Sequence, residues 1–482
     1  MAVLSHLEPA SVFHYFEELC SIPHGSGNTR AVSDYCVRFA QVHGLRYVQD
    51  AQNNVIIYQP GTPGYEQSPA VMLQGHLDMV CEKELDCDID FAADGLRLQV
   101  EDGVISAQGT TLGGDDGIAV AYALAVLAAE DIPHPPLEVV LTVDEEIGLL
   151  GAAALDGSLL QSRILLNIDS EEEGHLLISC AGGATATCRL PVERGEVSGQ
   201  LATLTVTGLR GGHSGTEIIQ NRANANVLLG RVLYALDREL DYDLLRVDGG
   251  TKDNAIPRQS VAQLVVNPEE GDTLAAFAAE WSATFAKEFQ STDPGVSLRL
   301  ELGEEGNFLA MSESDKCTVV SSLVLLPNGI QRMSGDIPGL VQTSLNLGIL
   351  QTSEDEVSAS FSVRSSVGSE KTALLHKLTA LMGVLGGRLE VSGEYPAWEY
   401  RPDSPLRDLM VQVFEEQYGH PPVVEAIHAG VECGLLSDKL PGLDCVSFGP
   451  DMKDVHTTSE RMDVASVQRV WNYLLEVLKR LK

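Results

Sequence analysis

The sequence predicts an α/β protein in which a mixed-sheet domain is interrupted by an inserted α+β domain. Apolar runs without polar alternation, LEVVLTV and RILLNI among them, suit interior strands covered on both faces. The middle of the chain changes to alternating strands separated by amphipathic helices, the pattern of one-sided layers. Five candidate metal ligands, His76, Asp115, Glu146, Asp169 and His456, each fall just after an apolar run, four before the middle block and one after it. Residues 1–186 and 393–482 therefore read as one domain and residues 187–392 as the insert.

Element by element, an opening helix is expected over residues 9–20; Gly25, Ser26 and Gly27 break it, and the next helix starts near Thr29. Strand and helix then alternate to about Cys180. Residues 70–73 form the strand that delivers His76, and the turn TTLGGD delivers Asp115 ahead of an apolar helix over 118–129. PLEVVLTVDE carries Glu146, ILLNI carries Asp169, and His456 lies in the loop after DCVSFG. Open α/β sheets place their chemistry at such strand ends. In the insert, the strands LATLTVTGL, SVAQLVV, VSLRLEL and VSASFSV are expected with helices near 218–236, 274–289 and 370–382. Their order suggests two successive strand-helix-strand-strand-helix-strand halves. The apolar face of 218–236 is either a dimer surface or part of the insert's own core. The last helix buries Val467, Val470, Trp471, Leu474, Leu475 and Leu478, and Lys479, Arg480 and Lys482 suit its C-terminal dipole.

Composition narrows the partners. Lys plus Arg number 32 against 69 Asp plus Glu, so a formal charge of -37 repels nucleic acid and anionic membrane surfaces. Nine scattered cysteines without a CxxC pair point to reduced thiols and a cytoplasmic location. MAVLSHLEPA has neither a basic n-region nor an apolar h-region, and no apolar run is long enough to span a bilayer.

Two imidazoles and three carboxylates are a ligand set for two divalent metals. Asp78, two residues after His76, points to the same side of an extended segment and is the natural acceptor for the second ring nitrogen. Either Asp115 or Asp116 can reach inward from the glycine turn, although aspartate there also suits a plain helix cap. Adjacent Glu145 and Glu146 offer one ligand and one base, and hydrolysis at a metal needs both. Two divalent ions bring four positive charges, of which Asp115, Glu146 and Asp169 cancel three. A metal-free site would leave its carboxylates to repel one another.

IPHGSGN, QGHLDMV, GTTLGGDDGIAVA, LTVDEEIGLLGA, NIDSEE, GLRGGHSG, DNAIPR and HAGVECGLL, in that order, resemble the two-zinc exopeptidases that include carboxypeptidase G and succinyl-diaminopimelate desuccinylase. The resemblance runs nearly from end to end. It implies two zinc ions per chain, with cobalt or manganese as substitutes. His76 and His456 would bind one ion each, Asp115 would bridge them as the first of the DD pair, and Glu146 and Asp169 would complete the separate metals. Glu145 would be the general base and Asp78 would orient His76. The insert becomes a lid, with His213, Asn254, Arg364 and the backbone at Gly430 facing substrate; an arginine fork suits a terminal carboxylate. The implied reaction is hydrolysis of dipeptides, Xaa-His types such as carnosine-like β-alanyl-histidine foremost, by a bridging hydroxide, with homodimerisation through the lid. An aminoacylase or tripeptidase would share the site. A two-metal phosphohydrolase would want basic residues that these motifs lack, and a non-catalytic binding protein would have lost ligands that are all present here.

Overall fold

The computed structural model of the chain describes residues 3–482; Met1 and Ala2, which open the segment expected to carry no export signal, lie outside them. The described chain divides into two compact units. The first takes the residues up to Cys180, Tyr400–Ala426 and Val431–Lys482; the second takes Ala181–Glu399 and Ile427–Gly430.

The first unit begins with α1 (Ala10–Cys20), α2 (Arg30–Val42), β1 (Arg46–Gln49), β2 (Val55–Gln59), β3 (Val71–His76), α3 (Gly114–Ala128), β4 (Leu137–Thr142), β5 (Ile164–Asn167) and β6 (His175–Cys180). The second unit runs β7 (Gly182–Pro191), β8 (Arg194–Thr207), α4 (Ala225–Leu236), β9 (Tyr242–Gly249), β10 (Ser260–Val266), α5 (Gly271–Glu288), β11 (Ser297–Met311), α6 (Glu313–Leu325), β12 (Val341–Thr352), β13 (Glu356–Ser365), α7 (Gly368–Leu385) and β14 (Arg388–Tyr395). The chain returns through α8 (Pro405–Tyr418), β15 (Val423–Ile427), α9 (Glu432–Lys439), β16 (Asp444–Ser447) and α10 (Val464–Arg480).

The first unit's main sheet has the order β1-β2-β4-β3-β5-β16-β6-β15. Its centre is parallel, β4 with β3, β3 with β5 and β5 with β16, and β1 and β2 extend it antiparallel. Every residue of β3 and β4 is buried, as their unbroken apolar runs require. The helix α3 is apolar all round and correspondingly enclosed. It lies so close to β3 that a Cβ on Gly75 would come within 2.5 Å of both Ala119 and the Asp116 carboxylate, so only glycine fits there. In α10 the buried set is Ser466, Val467, Val470, Trp471, Tyr473, Leu474, Val477 and Leu478, while Leu475 is half-buried. Trp471 stacks on Tyr122 of α3 at 5.7 Å, and the Tyr122 hydroxyl donates to the Val467 carbonyl at 2.8 Å.

In the second unit the sheet order is β11-β8-β10-β9-β12-β13-β7-β14. It resolves into two β-α-β-β-α-β halves of identical strand order. One half is β8-α4-β9-β10-α5-β11 and the other is β7-α6-β12-β13-α7-β14. The halves are nested and not successive: the first is inserted between β7 and α6 of the second. Because β7 and β14 pair with each other, this unit reaches beyond 187–392 at both ends. The expected helix over 218–236 is shorter. Ile218–Gln220 is a single 3₁₀ turn, Asn221 is left-handed at φ 52°, and the Asn224 side chain caps α4 by accepting from the N–H groups of Asn226 and Val227. The apolar side chains of α4, Leu228, Leu229, Val232, Leu233 and Leu236, belong to this unit's core, so that face is not a dimer surface. Among the described residues no helix is long and apolar enough to cross a membrane. Among the described residues none of the nine cysteines is in a disulfide.

Candidate metal centre

His76 ends β3, and parallel pairing aligns it with Thr142, the last residue of β4, so the segments that follow β3, β4 and β5 emerge at one sheet end. His76 is buried, and its Nε2 lies 3.0 Å from Asp115 Oδ1 and 3.8 Å from Asp169 Oδ1. Asp115 presents its other oxygen, Oδ2, to His456 Nε2 at 3.2 Å, and that nitrogen lies 2.8 Å from Glu146 Oε1. One carboxylate therefore spans two imidazoles, each with a second carboxylate beside it. Ligand-capable atoms fall within 4.8 Å of one another in three overlapping groups: His76, Asp116 and Asp169; His76, Glu145 and Glu146; and Asp115, Glu146 and His456.

Asp115 and Asp116 divide the work of the DD pair. Both have non-helical backbone ahead of α3, and Gly113 before them is left-handed at φ 66°. Asp116 is fully buried, and its Oδ2 accepts the backbone N–H of His76 at 3.1 Å, which ties α3 to the end of β3. Asp115 is the one whose two oxygens face the imidazoles. The turn itself is held by a residue that the sequence reading passed over. Glu460, buried, accepts the N–H groups of Leu112 at 2.7 Å and Gly113 at 3.2 Å on Oε2, and of Gly114 at 2.9 Å on Oε1.

Asp78 acts differently from the expectation. The His76 Nδ1–H donates to the Asp78 backbone carbonyl at 2.9 Å, and the carboxylate stands back at 3.6 Å. Its oxygens instead accept Ser26 Oγ at 2.8 Å and the N–H groups of Glu145 at 3.0 Å and Glu146 at 3.4 Å. Asp78 thus orients the imidazole through its main chain and the glutamate pair through its side chain.

The electrostatics are those of a site lacking positive charge. Burial pushes the Glu145 carboxyl up to about 8, against the pull of His76 and helped by Glu432, Glu146 and Asp115. Burial and then Asp116 raise Asp169 well above the carboxylate range. Burial and Asp115 raise Glu171 to about 7. Burial also works against ionised Asp115, but hydrogen bonds from His456 and His76 outweigh it and hold that carboxyl below its ordinary value. His456, hydrogen-bonded to Asp115 and Glu146, is raised to about 10. Carboxyls held neutral and imidazoles held charged are what a cluster of acids does when it must supply its own cations. The donor set, two imidazoles and several carboxylates, fits divalent metal.

In the second unit another cluster forms. Arg364 is buried on β13, donates from Nη1 to Tyr395 Oη at 3.1 Å, and leaves its Nε without a partner. His428 contacts Ser344 Oγ through Nε2 at 2.7 Å and leaves a buried Nδ1 without a partner; burial, then Arg364, lowers it to about 3. His213 opens no helix. It pairs with Ala255 in a two-residue ladder, and its Nδ1 accepts the Thr216 N–H at 3.2 Å. The Gly430 backbone abuts Tyr395: a Cβ there would lie 2.7 Å from the ring. Asn254 is exposed, and its carbonyl accepts the Ser214 N–H at 2.8 Å. His213, Arg364 and Gly430 thus gather with His428 and Tyr395. Neither of the last two carried a signal of its own beyond the HAG motif.

Residues 72–480 match the model of Peptidase family M20/M25/M40. The chain is 37% identical over 483 residues to the cytosol non-specific dipeptidase of Escherichia coli (strain K12), an alignment that covers 100% of this chain and 99% of that one. It is similar in structure to the aminoacylhistidine dipeptidase from Vibrio alginolyticus, with a TM-score of 0.92 and 37% identity over 99% of this chain and 97% of that chain. A tripeptidase from Staphylococcus aureus shares the fold at a TM-score of 0.57 and 17% identity, with 98% and 99% of the two chains covered.

Proposed function

The chain belongs to Peptidase family M20/M25/M40, and from that premise we propose that it hydrolyses dipeptides, Xaa-His types such as carnosine-like β-alanyl-histidine among them, in the cytosol with two bound zinc ions. The observation that carries this reading is Asp115, whose two carboxylate oxygens lie 3.0 and 3.2 Å from the imidazoles of His76 and His456. One ion would be held by His76, Asp115 and Asp169 and the other by His456, Asp115 and Glu146, with cobalt or manganese able to replace zinc. Bound there, the ions supply Lewis acidity toward the scissile carbonyl and lower the pKa of water.

The rest of the chemistry falls to the chain. The Glu145 N–H is anchored on Asp78, and its carboxyl lies within 4.8 Å of the ligand-capable atoms of His76 and Glu146. As general base it takes a proton from the attacking water and passes it to the leaving amine. Arg364, with Nε free and its charge buried, is proposed to take the substrate's terminal carboxylate. Gly430, His213 and Asn254 are proposed to line the same subsite, with His428 beside them. The relatives' names support a dipeptide substrate; one is called non-specific and the other aminoacylhistidine. Homodimerisation through the second unit belongs to the same proposal, on the exposed residues Tyr234, Val324 and Leu325 in place of the enclosed face of α4, and light scattering checks it.

The experiment is a panel of dipeptides, tripeptides, N-acyl amino acids and a phosphate ester, assayed with zinc, cobalt and manganese. Turnover confined to dipeptides is expected. Turnover of N-acyl amino acids or tripeptides in place of dipeptides overturns the substrate assignment.

A further inference from the structure

Below the ligand-bearing strand ends lies a buried chain of hydrogen bonds to which the reaction above gives no part. Gln74 sits two residues before His76, on the same face of β3, and pairs in register with Asn167 of β5; Thr142 pairs with His76. Glu432, the first residue of α9, enters this layer. Its Oε2 accepts Gln74 Nε2 at 2.5 Å and Thr142 Oγ1 at 2.6 Å, and Asn167 Nδ2 donates to Gln74 Oε1 at 2.6 Å. All four residues are buried, and Glu432 has no exposure at all.

Glu432 Oε2 accepts from both neighbours, so Gln74 turns its NH₂ toward α9 and its oxygen toward Asn167. Asn167 must then present its own NH₂. One acid at the end of the line thereby sets the orientation of two amides on two strands. Burying that acid is costly. Its second oxygen, Oε1, is buried without a hydrogen-bond partner. A group kept at such a disadvantage, and hydrogen-bonded to residues at the ends of β3 and β4, acts on what those ends carry.

We propose that Glu432 is a positioning residue of the metal centre. Through Gln74 it fixes the end of β3 and hence His76; through Thr142 it fixes the end of β4 and hence the Glu145–Glu146 segment three residues on; through Asn167 it reaches the segment that leads to Asp169. This inference rests on the assignment of those residues as ligands and base.

The test compares Glu432→Leu, Glu432→Gln and Thr142→Val with the wild-type protein. Zn²⁺ affinity is measured by competition with a chromogenic chelator, alongside melting temperature and the kcat and KM for a dipeptide. Glu432→Leu fills the space without an acceptor and should weaken zinc binding about 10–100-fold and lower kcat with little change in KM. Glu432→Gln keeps an amide oxygen for Thr142 and Gln74 and should restore most of the affinity. If Glu432→Leu does not fold, Thr142→Val carries the test, with a smaller loss of zinc affinity expected. Wild-type zinc affinity and kcat in Glu432→Leu, or in Thr142→Val where Glu432→Leu does not fold, overturn the proposal, as does a lowered melting temperature with unchanged zinc affinity. A wild-type protein that takes up no zinc overturns instead the ligand assignment on which the proposal stands.

Discussion

Replacing Glu460 by alanine should loosen the turn that carries Asp115. Glu460 is 3% exposed, and its two oxygens are the acceptors for three consecutive backbone N–H groups, those of Leu112, Gly113 and Gly114. A buried donor left without a partner costs roughly 1–3 kcal/mol. Water admitted to the vacated space recovers part of that, so the metal-free protein should lose about 3 kcal/mol. Glu460→Gln keeps one oxygen, enough for Leu112 and Gly113, but turns an NH₂ toward the third N–H; a loss of about 1–2 kcal/mol is expected. The assay is urea unfolding of metal-free protein, followed through Trp471, which packs in the same unit, together with zinc affinity. Alanine should cost the most in both measurements and glutamine less. An alanine variant within about 0.5 kcal/mol of wild type, the range of an ordinary surface change, would refute the claim that this carboxylate holds the turn.

Glu145→Gln should lower kcat by roughly 10²–10⁴-fold while zinc content stays at the wild-type value; unchanged turnover removes Glu145 from the base's role. The metal-free protein should lose stability as pH rises from 6 to 9. His456, raised to about 10 by Asp115 and Glu146, contributes stability that is complete below its unfolded value of 6.5 and is lost as pH climbs through 10. Glu145, raised from 4.5 to about 8 by burial, holds an extra proton in the folded state until pH passes about 8, so over the lower part of that range its slope has the same sign. Melts recorded across that range without metal should fall, and a melting temperature that rises contradicts the reading. Arg364→Ala should raise KM about 10–100-fold for a dipeptide with a free carboxylate and leave turnover of the corresponding amide nearly unchanged; equal losses on both substrates count against a carboxylate receptor.

Much of this arrangement was legible because its signals are local. AVML, LEVVLTV and ILLNI had to be interior strands, and the residues just after them had to emerge at one sheet end, so His76, Glu146 and Asp169 could be placed from runs of a few residues. The DD pair was ambiguous by spacing, since either aspartate can follow a glycine turn; the distinction lies in the close approach of α3 to Gly75, which no local pattern records. Glu460 had no local signal, and Glu432, although inside HAGVECGLL, had no role that its neighbours could reveal, for a related reason. Their partners are Leu112 and Gln74, 348 and 358 residues away, and a single glutamate in so acidic a chain carries no signal by type. In the second unit, alternation found the strands, but two features misled. Asn221 and Asn224 end one turn and start α4 inside what reads as a continuous apolar stripe. The pairing of β7 with β13 and β14 spans the whole inserted half, so two interleaved units read as two in a row.

On the proposed function Asp115 is shared by two divalent cations, and elemental analysis of active protein checks this. About two equivalents of divalent metal per chain are expected, with dipeptide turnover lost on chelation and recovered on adding zinc, cobalt or manganese. Fully active protein that carries no bound metal and is indifferent to chelators would contradict the account.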